Sequence, residues 1–263
     1  MNIGFFDSGI GGLSVLREAL MLLPYENYIY FADSDNAPYG TKTKEEVKRL
    51  TFDAVKFLNE RKIKALVIAC NTATSAAVRD LRKAYGFPVI GMEPAVKPAV
   101  EKKNNGGKRV LVMATPLTLK EEKFQNLITR FDAEHIVDML PAPKLVEFAE
   151  KHIFHGPEVT DYIKEIMPEN IDQYGTLVLG CTHFPLFKQA LEENMPKSIN
   201  IIDGNKGTVN HLMDVLKKNH LLSLSDKKGK VAFYKSGAEI KDQTVLDKYE
   251  KILYGSKAAK HTF

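Results

Sequence analysis

Short runs of β-branched and aromatic residues alternate along this chain with segments of helical periodicity, and that alternation restricts the fold more than any other feature. The runs cover residues 3–6, 28–31, 65–69, 89–91, 109–113, 136–139, 176–180 and 199–202. Between them Val47, Leu50, Ala54, Phe57 and Leu58 share one helical face. Ala77, Val78, Leu81 and Ala84 form the inward face of another helix, which ends at Gly86 with Pro88 just beyond. Strands separated by helices require crossover connections, so the sheets are mostly parallel and carry helices on both faces. The expected class is α/β, doubly wound.

Two stretches are alike. Ala65-Leu-Val-Ile-Ala-Cys-Asn-Thr and Thr176-Leu-Val-Leu-Gly-Cys-Thr-His each read as a buried strand that ends in a cysteine and opens a helix. The second helix has Pro185 in its first turn and Leu186, Phe187, Ala190 and Leu191 as its apolar face. The distance between Cys70 and Cys181 is on the scale of a domain, which suggests two related α/β units with a site in the cleft between them. Residues 102–108 and a loop at 203–207 are candidate crossings. The expected units are residues 1–97 plus 209–263, and residues 98–208.

Composition removes several classes of function. Basic residues number 37 and acidic residues 33, a net charge of +4, and the local clusters (Lys102, Lys103, Lys108 and Arg109; Lys227, Lys228 and Lys230) read as solvated loops rather than a nucleic-acid stripe. The apolar runs are too short to span a bilayer, and the N-terminus lacks a basic segment followed by an apolar core. Two cysteines are too few for a disulfide framework or a four-ligand zinc cage. The expected compartment is the cytoplasm, with no membrane and no nucleic-acid partner.

In open parallel sheets, ligands lie beyond the carboxyl ends of the strands. Asp7-Ser-Gly-Ile-Gly-Gly, the segment from Asp33 through Pro38-Tyr-Gly-Thr, Cys70-Asn-Thr and Cys181-Thr-His all occupy that position. Together they describe a small pocket rich in hydroxyls and amides, suited to a compact anion. The glycine loop invites a nucleotide reading, but its spacing is not G-x-G-x-x-G and no Walker lysine follows. Asp7 would also face a phosphate unfavourably. A cysteine at a helix N-terminus is expected to have a lowered pKa. One such cysteine is as readily a small structural hydrophobe, and a single histidine is as readily a hydrogen-bonded core residue; two equivalent cysteines, with His183 two residues after one of them, favour acid–base chemistry. Two thiols on opposite walls of a cleft can remove a proton from an amino-acid α-carbon and return it to the other face. That chemistry needs no pyridoxal, so no cofactor and no metal are expected.

Residues 4–15, 32–42, 69–73, 180–186 and Gly91-Met-Glu-Pro-Ala together resemble the bacterial glutamate racemases. The likeness spans residues 3 to about 187 and is looser beyond. It implies two α/β domains with the active site between them, and direct interconversion of L- and D-glutamate for peptidoglycan. By that resemblance Cys70 acts on the D-enantiomer and Cys181 on the L-enantiomer, with Asp7 and His183 assisting the thiols. Ser8, Tyr39, Gly40, Asn71, Thr72 and Thr182, together with Asp7 and His183, match positions that hold glutamate, and Thr118 matches a further substrate threonine. Ala142 stands where the family often has cysteine, and the register from there favours Glu150 over Glu147 as the matching acid. A homodimer is implied. The start of the chain close to the first strand gives the expectation that no cell-wall precursor is needed for activation. The competing readings are an aspartate or hydantoin racemase, a decarboxylase relative needing one thiol, a non-catalytic amino-acid-binding module, and a thiol redox protein, although C-x-x-C is absent.

Overall fold

The computed structural model describes residues 1–101 and 107–255. Its strands fall into two sheets. The first half runs β1 (Asn2–Asp7), α1 (Leu13–Leu22), β2 (Asn27–Ala32), α2 (Lys44–Glu60), β3 (Ile63–Ile68), α3 (Asn71–Ala84) and β4 (Val89–Gly91). There follow α4 (Val96–Glu101), β5 (Arg109–Ala114), α5 (Pro116–Lys120), α6 (Glu122–Phe131), β6 (Val137–Pro141), α7 (Pro143–Glu150), α8 (Pro157–Ile166), β7 (Tyr174–Leu179), α9 (Lys188–Asn194) and β8 (Asn200–Asp203). The last elements are α10 (Asn205–Lys218), β9 (Val231–Lys235), β10 (Ala238–Glu239) and α11 (Gln243–Tyr254).

The six-stranded sheet has the order β10-β9-β2-β1-β3-β4, and the four-stranded sheet the order β6-β5-β7-β8. Every pairing is parallel except β10 with β9. Alternate side chains feed opposite cores, as strands buried on both faces require. Along β3, Ala65 and Val67 join the cluster that contains α1 and α10 residues, while Leu66 and Ile68 join the one with α2 and α3 residues. Along β5, Leu111 and Met113 pack with residues of α7 and α8, and Val110 and Val112 with Val96 and Phe124 of α4 and α6. Each sheet is therefore covered by helices on both faces. In each, the chain leaves the first strand in both directions (β2 and β3 flank β1; β6 and β7 flank β5), so each sheet has a crevice at the carboxyl end of that strand.

Several details differ from expectation. β9 and β10 extend the first sheet beyond the expected strands, with Val231 and Phe233 in its core. The helix after Cys70 stops at Ala84, which is exposed, before Gly86. The segment after Cys181 opens as a 3-10 turn, Phe184–Phe187, and becomes α-helical only at Lys188, burying Phe184 and Phe187. Residues 203–207 are not a loop: Asp203 ends β8 and α10 begins at Asn205, so a boundary after residue 208 would cut a helix. The crossing expected at 102–108 lies mostly outside the described residues. Among the described residues, no helix is long and apolar enough to cross a membrane.

One buried ion pair anchors the segment between α10 and β9. Lys64 Nζ lies 2.5 Å from Glu26 Oε2 and donates to Leu221 O at 2.6 Å. Glu26 Oε1 accepts from Ser223 N at 2.6 Å. Removing one partner leaves a buried charge uncompensated, which costs about 3–5 kcal/mol. Lys64→Met is expected to destabilise the protein by that order in urea denaturation. Adding Glu26→Gln, which keeps an acceptor for Ser223, is expected to restore most of the loss.

Candidate active site

The crevices at the two strand ends share one set of hydrogen bonds. β1 ends in Asp7, which is fully buried; its Oδ1 accepts from Gly9 N at 3.0 Å, and its Oδ2 accepts from the Thr182 hydroxyl at 2.9 Å. Ser14, in the first turn of α1, donates its hydroxyl to Thr182 O at 3.0 Å. Ile10 N donates to Glu150 Oε1 at 2.7 Å, and the same carboxylate oxygen accepts from His183 Nε2, also at 2.7 Å. The loop after β1 is thus bonded to the segment after β7 and to the end of α7.

This contact explains the glycines. A Cβ at Gly9 would sit 1.9 Å from Glu150 Oε1, and one at Gly11 would sit 2.5 Å from His183 Nδ1. The loop is glycine-rich so that Glu150 and His183 can lie against its backbone. Those groups occupy the place a nucleotide phosphate would need, which disposes of that reading.

Cys70 caps α3, with its Sγ accepting from Ala73 N at 3.4 Å and lying 3.5 Å from Ser8 Oγ. The lowered pKa expected from the helix terminus is not found. Burial pushes the Cys70 thiol up to about 12, the charges of Asp7 and Cys181 add to the rise, and the bonds from Ser8 and Ala73 offset only part of it. Cys181 follows β7 without capping a regular helix; its Sγ lies 3.7 Å from His183 Nδ1. Burial opposes a charged imidazole at His183, but bonds to Cys181 and Glu150, with their charges, hold its pKa well above the ordinary value. Burial likewise opposes ionisation of Glu150, and the His183 bond and charge, with Ile10 N, keep its carboxyl below the usual range. Glu147 is exposed.

The remaining expected residues gather nearby. Thr72 Oγ1 lies 3.0 Å from both Thr115 Oγ1 and Thr118 Oγ1, so α3 of the first sheet meets α5 of the second through hydroxyls. Asn71 is buried, and its Oδ1 has no partner among the described residues, leaving a group that a bound polar ligand can satisfy. Tyr39 and Gly40 sit in a short 3-10 turn after β2. The Tyr39 hydroxyl donates to Asp33 Oδ2 at 2.6 Å, so the phenol serves the loop itself and the backbone is what this turn offers a ligand. Unforeseen in the sequence were Ile10 N, Ser14 and Thr115. A backbone donor has no sequence signal, but Thr115 directly before Pro116 is a helix-start pattern that could have been read.

The profile of the Asp/Glu/Hydantoin racemase family matches residues 14–212. The chain belongs to that family. It is 55% identical over 254 residues to a glutamate racemase of Halothermothrix orenii, covering 96% of this chain and 99% of that one. It is 51% identical over 253 residues to glutamate racemase 2 of Bacillus subtilis, covering 96% and 95%. The crystal structure of a Francisella tularensis glutamate racemase in complex with D-glutamate matches at 30% identity with a TM-score of 0.79, covering 96% of this chain and 93% of that chain. The protein is a racemase-family isomerase, and its strand ends gather buried thiol, imidazole and carboxylate groups, the types that exchange protons.

Burial raises Asp7 from 3.8 to about 6, against the opposing pull of His183. A carboxyl whose folded pKa lies above its unfolded value binds protons more tightly when folded. Asp7 therefore costs stability above the unfolded pKa, and the cost is complete above the folded one. Asp7→Asn is expected to raise stability at pH 8, by at most about 3 kcal/mol. The gain should shrink through pH 6 and vanish below pH 4, as chemical denaturation at each pH would show.

Proposed function

We propose that this protein interconverts L- and D-glutamate by direct transfer of the α-proton between two thiols. The observation that carries the reading is the pair of buried cysteines at strand ends of two different sheets, each with its own proton-exchanging neighbour. Cys70 lies with Ser8 under the charge of Asp7, and Cys181 lies beside the His183–Glu150 pair. Cys181 as thiolate removes the α-proton of L-glutamate, and the electron pair passes into the α-carboxylate as an enolate. The Cys70 thiol then delivers its proton to the opposite face, giving D-glutamate and a Cys70 thiolate. The reverse reaction uses the same groups in exchanged roles. His183, which lies against Cys181, and Asp7, whose charge acts on Cys70, return the thiols to their starting protonation, and neither is at its ordinary pKa.

Substrate contacts fall to Asp7, Ser8, the Tyr39–Gly40 backbone, Asn71, Thr72, Thr118, Thr182 and His183. Glutamate is chosen over its shorter homologue because the relatives at half identity or more are named glutamate racemases. The domain division belongs to the same reading, with its first boundary moved ahead of α4, whose Val96 and Ala99 pack on the second sheet: residues 1–94 with 205–255 around the first sheet, and residues 95–204 around the second. A cytoplasmic homodimer that supplies D-glutamate for cell-wall synthesis completes it.

Incubation with L-glutamate in deuterated water, without added cofactor, is expected to give D-glutamate with deuterium at the α-carbon. Cys70→Ser and Cys181→Ser should each lower racemisation by roughly 10²–10⁴-fold while the fold is retained. Full activity in either variant would refute the two-thiol mechanism, and exchange with aspartate alone would move the protein to a sister racemase.

Glu150→Gln removes the charge behind His183 and is expected to lower kcat by roughly tenfold or more. Glu147→Gln, on the exposed side of α7, should leave kcat unchanged. Equal effects of the two would refute the assignment of Glu150.

A further inference from the structure

Three buried hydroxyls close a triangle where the two sheets meet. Thr72 Oγ1 lies 3.0 Å from Thr115 Oγ1 and 3.0 Å from Thr118 Oγ1, and Thr115 Oγ1 lies 2.9 Å from Thr118 Oγ1. Each hydroxyl has one proton and two lone pairs. Thr115 differs from the other two in one respect. As the cap of α5 it also accepts from Thr118 N at 3.3 Å, which commits one of its lone pairs, and it gives its own proton to Thr118 Oγ1. It also lies against the substrate loop: a Cβ at Gly40 would meet Thr115 Cβ at 2.5 Å and Oγ1 at 2.9 Å.

We propose that Thr115 is a positioning residue for the substrate site, its anchored hydroxyl setting the directions in which Thr72 and Thr118 present theirs. The inference rests on the glutamate reading above, in which Thr72 and Thr118 hold the substrate. A carboxylate has only lone pairs to offer, so it needs both threonine protons aimed at it. In an unanchored ring of three hydroxyls, two directions of donation are equivalent, and a ligand must pay for selecting one. With the Thr115 proton given to Thr118 Oγ1, the Thr118 proton is not needed inside the triangle and can point at a ligand, and Thr72 meets only the one lone pair of Thr115 that the Thr118 amide leaves free. Thr115 thus acts through its neighbours on binding, not on the proton transfer itself.

The test is steady-state racemisation of both enantiomers by the wild type, Thr115→Val, Thr115→Ser, Thr118→Val and the Thr115→Val/Thr118→Val double variant. Valine keeps the shape against Gly40 and removes only the hydroxyl. Thr115→Val is expected to raise KM about tenfold in both directions with kcat changed less than about threefold, and Thr115→Ser to restore most of the affinity. The double variant should lose less than the product of the two single effects, because part of what Thr115 orients is then already gone. Should the valine variant fail to fold, Thr115→Ala is read in the same way. An unchanged KM in Thr115→Val, a serine variant as impaired as the valine one, or effects that multiply in the double variant would overturn the inference. A wild type inert toward glutamate would overturn the underlying reading as well, whereas an active wild type matched by Thr115→Val would overturn this inference alone.

Discussion

The bond between the Glu150 carboxylate and the Ile10 amide, 2.7 Å long, is the contact on which the rest of the site depends. It ties the loop after the first strand of one sheet to the last turn of a helix packed on the other. The same oxygen receives His183, so the bond that joins the sheets also sets the imidazole beside Cys181. Around it, Asp7 with Thr182, Ser14 with the Thr182 carbonyl, and Thr72 with Thr115 repeat the connection. These contacts converge only because β1 and β5 each occupy the position where their sheet's strand order reverses, which leaves a crevice at the carboxyl end of each.

Burial is what gives these groups their chemistry, and its direction differs from group to group. Asp7 and Cys70 have too few compensating donors, so desolvation wins and both are driven toward their protonated forms. His183 and Glu150 are buried too, but each supplies the other's counter-charge, so desolvation loses and the pair remains ionic. A site with a thiol and a carboxyl pushed toward their protonated forms on one side and a charged pair on the other has protons to give and places prepared to take them. The cost is carried by the well-packed cores on either face of both sheets.

The fold was legible because both-face burial leaves strong apolar runs: residues 65–69 and 109–113 could hardly be anything but interior strands. β9 was not, since Val-Ala-Phe-Tyr-Lys is short and ends at a lysine, and its place between β2 and the edge strand β10 is decided by tertiary pairing. The site residues were legible as types at strand ends, but not as partners. The pair Glu147 and Glu150 shows why. Both lie on α7, and what separates them is tertiary: Glu150 meets a backbone amide 140 residues earlier and His183, whereas Glu147 is exposed. The lowered pKa expected at Cys70 failed for a related reason: a helix terminus can be read from local sequence, whereas burial and the charge of Asp7 come from the assembled fold.

Having one thiol on each sheet rather than two on one has a physical consequence. Opposite faces of a tetrahedral carbon must be approached from opposite directions, and neighbouring parallel strands present their ends on the same side of one sheet. In the proposed two-thiol mechanism, two sheets meeting at their strand ends would supply the opposed approach without bending either one. The joint between them must then be both firm enough to fix the thiols and able to admit a substrate. Bonds made through single hydroxyls and amides, as at Thr182, Ile10 and Thr72, suit both needs: each is individually worth about 1–3 kcal/mol net, the upper end where a carboxylate accepts, and they act together with a few bridging apolar side chains, Phe154 and Leu186 among them.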